Sequence, residues 1–371
     1  MSADELPGLV QQVLWAAFAL GVLFGAVAQR AHFCTMGALA DIVTMGDWTR
    51  LRMWALAVGV ATLGFTGMSA AGWIDATDSV YARPQLIWLS NGVGGALFGF
   101  GMVLASGCGS KTLVRIGGGS LKALVVFCVL GLASYATLRG LTAVWRVETL
   151  DRVMVELPVG QDLPSLLQHA TGIGRPWAVG LLGGGIGLAL TAWALWRPEG
   201  RSADTLLGGL GIGAVIAAAW WVSGVLGHVA EHPLTLEASF LATNTRSMES
   251  FTFVAPIAYT LDWIILYSDA NKLMSFGIAS VLGVIVGSAA VALATGGFRW
   301  EGFAGTEDTA NHVVGAVLMG IGGVTAFGCT VGQGLSGLST LSLGSAIAVA
   351  GIVGGTMAGL RWQSWRLERQ L

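Results

Sequence analysis

Long apolar runs alternate with short polar connections along this chain. Nine runs are about 20 residues long, the length that a helix needs to cross the hydrocarbon core of a bilayer. They lie near 9–29, 52–72, 86–107, 120–141, 177–196, 206–227, 273–295, 311–328 and 343–361. The pattern predicts an all-α polytopic membrane protein with about nine transmembrane helices.

Four shorter apolar segments are too short to span a bilayer. Each begins at or beside a Cys, Ser or Thr and adjoins a long run; they cover 32–46, 109–116, 250–266 and 330–338. Backbone that ends within a membrane is tolerated only where protein or a polar cavity covers its free groups. The segments therefore predict four short re-entrant helices that border one internal pathway.

The distribution of basic residues predicts an orientation. An outside N-terminus with nine spans places most of the 19 Lys and Arg residues on the inner side, and the reverse orientation would invert this bias. We therefore expect the N-terminus outside and the C-terminus inside a bacterial inner membrane. The polar stretch 142–176 then forms an extracytoplasmic connector between a first half, 1–141, and a second half, 177–371.

Composition agrees with a lipid environment and excludes one partner class. Hydrophobic residues make up 54% of the chain, charged residues 11%, and 56 residues are Gly. Such a chain cannot hide its apolar surface from water, so the bilayer is its expected partner. The net charge is -2 with no basic tract, and we expect no nucleic-acid binding.

An internal repeat is the strongest signal in the sequence. Residues 99–108 read GFGMVLASGC and residues 320–329 read GIGGVTAFGC, so both fit G-x-G-x-V-x-A-x-G-C. Arg30 followed by Cys34 is matched in the same way by Arg246 followed by Ser250. The two cysteine motifs are five predicted spans apart, an odd number, which predicts inverted-topology halves with a substrate site near the membrane midplane.

The cysteines at the predicted junctions are candidate site residues. A single buried Cys usually acts as a small hydrophobe, and this is the expected role of Cys128, which has no repeat partner. Cys34, Cys108 and Cys329 differ because each stands at a matched junction between a span and a short segment. Gly107 and Gly328 precede two of them, where a Gly can adopt positive φ and expose neighbouring N–H groups.

Other chemistries fit these residues poorly. The junction cysteines form no C-x-x-C pair and have no clustered His, which disfavours a zinc or iron–sulfur site. A disulfide is not expected at membrane depth. The stretch GCGSKT at 107–112 lacks the Gly that a phosphate-binding loop requires before Lys, and no strand precedes it. We therefore expect no cofactor.

Four segments carry a family resemblance: AQRAHFCTMGALAD at 28–41, GFGMVLASGCGSKTLVRIGGGS at 99–120, SMESFTFVAPIAYTLDW at 247–263 and GIGGVTAFGCTVGQG at 320–334. Together they resemble the YeeE/YedE sulfur-transport family over nearly the whole chain. The resemblance implies a thiosulfate uptake protein, not an enzyme, with an hourglass interior in which three thiols relay the ion. Those thiols match Cys34, Cys108 and Cys329. It also implies a small cytoplasmic sulfur-carrier partner in some members.

The chemistry of thiosulfate suits such a neck. The ion is a dianion with a soft terminal sulfur, and its dehydration is costly unless protein donors replace water. A neutral S–H group is a weak donor that binds such a sulfur briefly, whereas Lys or Arg in the neck would trap the ion. The N–H groups of Gly109 and Thr330, at the starts of the short segments, are expected to hold its oxygens.

Two other functions fit the same residues. In the first, one cysteine accepts a sulfur atom as a persulfide, and the protein is a covalent sulfur relay across the membrane. In the second, the cysteines only pack, and the protein is a non-sulfur channel or a membrane scaffold subunit. The sequence alone does not choose the substrate among thiosulfate, sulfite and selenium analogues.

Overall fold

The computed structural model describes residues 5–233 and 236–369 and is almost entirely helical. The helices are α1 Leu6–Arg30, α2 Thr35–Met45, α3 Thr49–Ala70, α4 Trp88–Leu104, α5 Gly109–Gly117, α6 Leu121–Arg139, α7 Leu141–Thr149, α8 Leu163–Thr171, α9 Arg175–Val179, α10 Gly185–Leu195, α11 Ala203–Trp221, α12 Val254–Ile265, α13 Phe276–Ala294, α14 Thr306–Thr325 and α15 Leu343–Glu368. A π-helical turn, Gly180–Gly184, joins α9 to α10, and another, Val222–Leu226, extends α11.

Within the described ranges, four two-residue strands form two small antiparallel pairs. They are β1 Gln85–Leu86, β2 Val155–Glu156, β3 His228–Val229 and β4 Ser239–Phe240. β1 pairs with β2, and β3 pairs with β4. The first pair ties the 142–176 stretch, which also contains most of α7 and all of α8, to the connection between α3 and α4.

Eight helical stretches within the described residues are long and apolar enough to cross a membrane, so the chain is an all-α, multi-pass membrane protein. They are Leu6–Met45, Thr49–Ala70, Trp88–Gly117, Leu121–Arg139, Arg175–Leu195, Ala203–Leu226, Phe276–Ala294 and Leu343–Glu368. The remaining predicted run, 311–328, corresponds to α14, whose first turn carries Glu307 and Asp308 and is less apolar. The count of nine spans stays a prediction.

The four short segments differ in their local structure. α2 and α5 begin directly after Cys34 and Cys108, as the sequence predicts. α12 begins four residues after Ser250, and extended chain carries that serine. The last segment is a π-helical turn, Gly332–Gly337, rather than an α-helix.

The long helices pack in pairs that occur twice. α1 packs along α13, and α11 packs along α3; α4 packs along α15, and α14 packs along α6. Suppose that α1, α3, α4 and α6 are exchanged, in that order, with α11, α13, α14 and α15. The α1–α13 pair then becomes the α11–α3 pair, and the α4–α15 pair becomes the α14–α6 pair. This exchange is what a two-fold axis between halves would produce. It supports the predicted repeat, whose inverted orientation stays a prediction.

Glycines of the repeated motif lie where these helices cross. A Cβ at Gly99 would collide with the carbonyl of Ile352 on α15, and one at Gly320 would approach the carbonyl of Leu130 on α6. Small residues allow such close backbone approach between membrane helices. Both copies of the motif therefore build helix contacts before the chain reaches the cysteines.

The loops between the helices form two groups, one at each end of the helices, as their mutual contacts show. At the first end, three ion pairs link connections and helix ends: Arg30 with Asp204, Lys122 with Glu301, and Arg366 with Glu307. At the second end, backbone bridges join Ser79 to Met248 and Asp162 to Ser342. Ser342 and Arg366 lie at opposite ends of α15. The grouping matches the loops that the predicted topology places together.

Candidate functional site

The three candidate cysteines occupy similar local positions. Cys34 is the extended N-cap of α2, and its sulfur accepts the N–H of Gly37 at 3.3 Å. Cys108 is the extended N-cap of α5. The sulfur of Cys329 accepts the N–H of Gly332 at 3.4 Å, at the start of the π-helical turn. Each thiol thus lies at the start of a helical segment, where the first backbone N–H groups have no partner within the helix.

The fold brings these thiols together from three distant parts of the sequence. Cys108 lies within Coulombic range of both Cys34 and Cys329. Cys108 and Cys329 are buried, whereas Cys34 is partly exposed. Cys128 lies within α6, partly buried against the hydrophobic core. Cys108 is therefore close to both of the other thiols, and we refer to Cys34, Cys108 and Cys329 together as the line of thiols.

The backbone at the two glycine–cysteine junctions differs from the prediction for Gly107. The left-handed residues are Ser106, with φ of 55°, and Phe327, with φ of 61°, one position before each glycine. Gly107 is not among the described residues with positive φ, and Gly328, at 159°, is close to extended backbone. The Gly107 N–H donates to the Met102 carbonyl, and the Gly328 N–H donates to the Gly323 carbonyl. These bonds place the left-handed residue of each helix end one position before the glycine.

The N–H donors proposed at Gly109 and Thr330 lie beside the thiols. The first bond within α5 runs from Thr112 N–H to the Cys108 carbonyl at 2.9 Å, so the N–H groups of residues 109–111 lack helical partners. Thr330 is 2% exposed, and its hydroxyl has no partner among the described residues. It borders a cavity of about 80 Å³ that Thr35 also lines.

A basic cluster that the sequence analysis missed surrounds the Cys34 end. Lys111 lies within Coulombic range of Cys34, Cys108, Arg115 and Arg50. Lys111 and Arg115 are four residues apart on α5 and therefore share one face of that helix. That spacing is visible in the sequence, but spacing alone does not show that this helix face borders the thiols. A Lys therefore lies next to Cys34, close to the proposed neck, and its charge must enter any account of anion binding there.

At the Cys329 end, Gly328, the residue before the cysteine, lines a cavity of about 210 Å³. Tyr81, Arg146, Glu249, Ser250, Tyr259 and Gly328 are among its lining residues. The Tyr81 hydroxyl donates to the Gly332 carbonyl at 2.7 Å, immediately after the Cys329 junction. The Ser250 hydroxyl donates to the Ile216 carbonyl at 3.0 Å. Ser250, the repeat match of Cys34, thus fixes the backbone on this side.

Comparisons with known proteins agree with a transport function. The thiosulfate transporter TsuA of Spirochaeta thermophila is 26% identical over 345 residues, which cover 91% of this chain and 94% of the relative. TsuA of Escherichia coli is 28% identical over 323 residues, 85% of this chain and 84% of the relative. The probable transporter YedE of Escherichia coli is 29% identical over 112 residues, 30% of this chain and 26% of the relative.

The family match covers most of the chain, including all three junction cysteines. Residues 30–358 match the family described as sulphur transport. The apolar helices, the matched relatives and this family together identify a membrane transport protein for a sulfur-containing anion rather than an enzyme. The chain belongs to the sulphur-transport family, YeeE/YedE.

Proposed function

We propose that this protein imports thiosulfate into the cytoplasm through a passage in which Cys329, Cys108 and Cys34 bind the ion in turn. The observation that supports this most strongly is the closeness of Cys108 to both Cys34 and Cys329, since the three thiols stand at helix junctions that are distant in sequence. The names of the full-length relatives suggest the substrate. Gly107, Gly328, Gly109 and Thr330 form the backbone of the binding neck in this proposal.

The neck suits an ion with one soft and one oxygen-rich end. Thiols donate weak, polarisable hydrogen bonds to the terminal sulfur, and binding weak enough to release is a requirement for conduction. Free N–H groups at the start of α5 would face the oxygens and replace lost water. No bond of thiosulfate breaks in this relay.

Lys111 adds a step to the proposal. Next to Cys34 and Cys108, its ammonium compensates part of the dianion charge in a region where burial strengthens Coulombic attraction. Arg115 continues the positive charge beyond it, whereas Arg50 lies 3.3 Å from a carboxylate oxygen of Asp41. The cluster therefore draws the ion from the middle thiol towards Cys34.

The proposed orientation places the Cys34 end at the cytoplasm. The N-terminus is outside and the C-terminus inside a bacterial inner membrane, with 1–141 and 177–371 as inverted halves and 142–176 outside. A small cytoplasmic sulfur-carrier protein would meet the ion at the Cys34 end. Inward movement of two negative charges against an inside-negative potential costs about 4.6 kcal/mol per 100 mV, so uptake requires a driving process.

The test of this function is uptake of radiolabelled thiosulfate in a strain that lacks other thiosulfate uptake. We expect saturable accumulation that unlabelled thiosulfate abolishes and that sulfate inhibits weakly, because sulfate has no soft sulfur. Absence of uptake despite normal membrane abundance would refute the proposal. Label on the terminal sulfur that stays on the purified protein after denaturation would instead favour the covalent relay.

Orientation is testable separately with engineered cysteines. Asp78 and Gly302 are exposed residues in connections at opposite ends of the helices. A thiol reagent that cannot cross the membrane should label Asp78→Cys in intact cells, and Gly302→Cys only after permeabilisation, above the background of the wild-type chain. Labelling of Gly302→Cys in intact cells would reverse the proposed direction.

A further inference from the structure

Glu249 is a buried carboxyl group in the cavity at the Cys329 end. Its side chain is 9% exposed and lines the cavity together with Gly328 and Tyr81. The Thr245 hydroxyl donates to its carboxylate at 3.0 Å. Buried carboxyl groups that lack a cationic partner are costly to ionise, so such a position calls for a functional explanation.

Among the residues that the structure describes, the groups that face Glu249 leave its charge largely uncompensated. Tyr81 and Tyr259 border the cavity, and burial raises the pKa of each phenol, so both stay neutral near pH 7. Arg146 also lines the cavity, but its Nε lies 3.3 Å from a carboxylate oxygen of Asp151. The remaining polar partners of the carboxylate, Thr245 and the Asn244 backbone, are neutral donors.

Burial, opposed by these hydrogen bonds, raises the pKa of Glu249 to about 7. The Glu249 carboxyl group therefore changes its charge near neutral pH. An anion in the same cavity would oppose the ionised form further, because two like charges in a poorly solvated space repel strongly. Conversely, a protonated carboxyl group could donate a hydrogen bond to the anion.

We propose that Glu249 is a proton-binding site that admits the anion: the dianion enters the cavity beside Cys329 only with a proton on the Glu249 carboxyl group. The proton comes from the solution on the Cys329 side, and no bond of the anion changes. Binding of one anion is thus linked to uptake of one proton. The inference rests on the proposed thiosulfate transport and names its regulation.

The sign of the pH dependence follows from this linkage. Protonation favours anion binding, so affinity is full below the pKa of Glu249 and is lost as pH rises through it. Above that pKa, the apparent KM for thiosulfate should rise by up to about tenfold per pH unit, the limit for one linked proton.

The experiment measures thiosulfate uptake by the full chain in proteoliposomes at external pH 6, 7 and 8. We expect the apparent KM of the wild type to rise with pH, Glu249→Gln to give one KM at all three values, and Glu249→Asp to keep a pH dependence. Glutamine keeps the size of the side chain and can accept the Thr245 hydrogen bond. If Glu249 had only a structural role, the KM of Glu249→Gln would therefore depend on pH as the KM of the wild type does. Equal pH profiles for the wild type and Glu249→Gln would overturn the inference.

Thr245→Val provides a second variant that keeps the carboxyl group. Loss of the hydroxyl removes a donor that favours the ionised form, so the pKa of Glu249 should rise and the KM profile should move to higher pH. An unmoved profile would count against Glu249 as the titrating group. If the wild type showed no saturable uptake at any pH, the proposed transport function itself would fail.

Discussion

The two ends of the thiol line share a scaffold but differ in charge. At the Cys34 end, Lys111 and Arg115 lie near a partly exposed thiol. At the other end, Ser250 occupies the matching position, Glu249 takes the place of Phe33, and two tyrosines line the cavity. The helix pairs behind both ends match. Packing is thus retained between the halves where backbone contacts require it, whereas side chains near the proposed passage diverge.

This difference gives the proposed passage a direction. An anion would leave a cavity that holds an acid and move towards a cluster of cations, so the electrostatic potential becomes more favourable along the line of thiols. A passage with two identical ends would have no such gradient. The following substitutions test how far the two ends depend on each other.

The largest effect is expected at the two cysteines of the repeated motif, Cys108 and Cys329. Cys108→Ser and Cys329→Ser keep volume and a donor but remove the polarisable sulfur. We expect each to lower the thiosulfate uptake rate about hundredfold, equivalent to about 2.7 kcal/mol. Cys128→Ala is the control, because Cys128 lies in α6 outside the line, and its uptake should stay near normal. Equal losses in all three variants at normal abundance would contradict a specific role for the line.

A smaller effect is expected from the cations at the Cys34 end. Lys111→Met keeps the length of the side chain but removes its charge, and we expect the apparent KM for thiosulfate to rise about tenfold, within the range for one charged hydrogen bond. Lys122→Met is the matched control, since Lys122 pairs with Glu301 at 2.6 Å at the end of the helices. An unchanged KM in Lys111→Met would show that the basic cluster does not contact the ion.

The smallest effects concern the unequal pair Cys34 and Ser250. Cys34→Ser makes the two positions chemically alike, and we expect uptake to fall only about threefold, because Cys34 is partly exposed and water can replace part of the lost contact. Ser250→Cys weakens the hydrogen bond to the Ile216 carbonyl and should change uptake less. If Ser250→Cys restored uptake to the Cys34→Ser chain, the two ends would be interchangeable and the asymmetry would carry no function.

Much of this organisation was predictable from patterns that repeat. The long apolar runs predicted the spanning helices, and the two GC motifs predicted the matched junctions at Cys108 and Cys329. The start of α12 was missed because 250–253 is as apolar as the helix that follows it, and hydropathy does not separate extended chain from helix in so short a run. The turn residues Ser106 and Phe327 were missed because neither residue type signals left-handed backbone.

The charged side chains near the passage were harder to predict. Lys111 and Glu249 come from different halves, and which of them faces the passage depends on how α5 and the 244–253 segment fold against helices distant in sequence. Only the packing of the folded chain distinguishes Glu249 from the acidic residues of surface connections, because a buried and an exposed carboxyl group have the same sequence signature.

The glycine crossings also have a genetic consequence. At Gly99, Gly287 and Gly355 the space for a first side-chain carbon is already occupied by a carbonyl of the neighbouring helix, so even alanine would push the helices apart. Any missense change at these glycine codons therefore disturbs the packing of the helices. The line of thiols, by contrast, offers only three codons at which a missense change removes a sulfur. A selection for spontaneous mutants that have lost uptake should therefore recover glycine substitutions in helix crossings more often than changes in the cysteines.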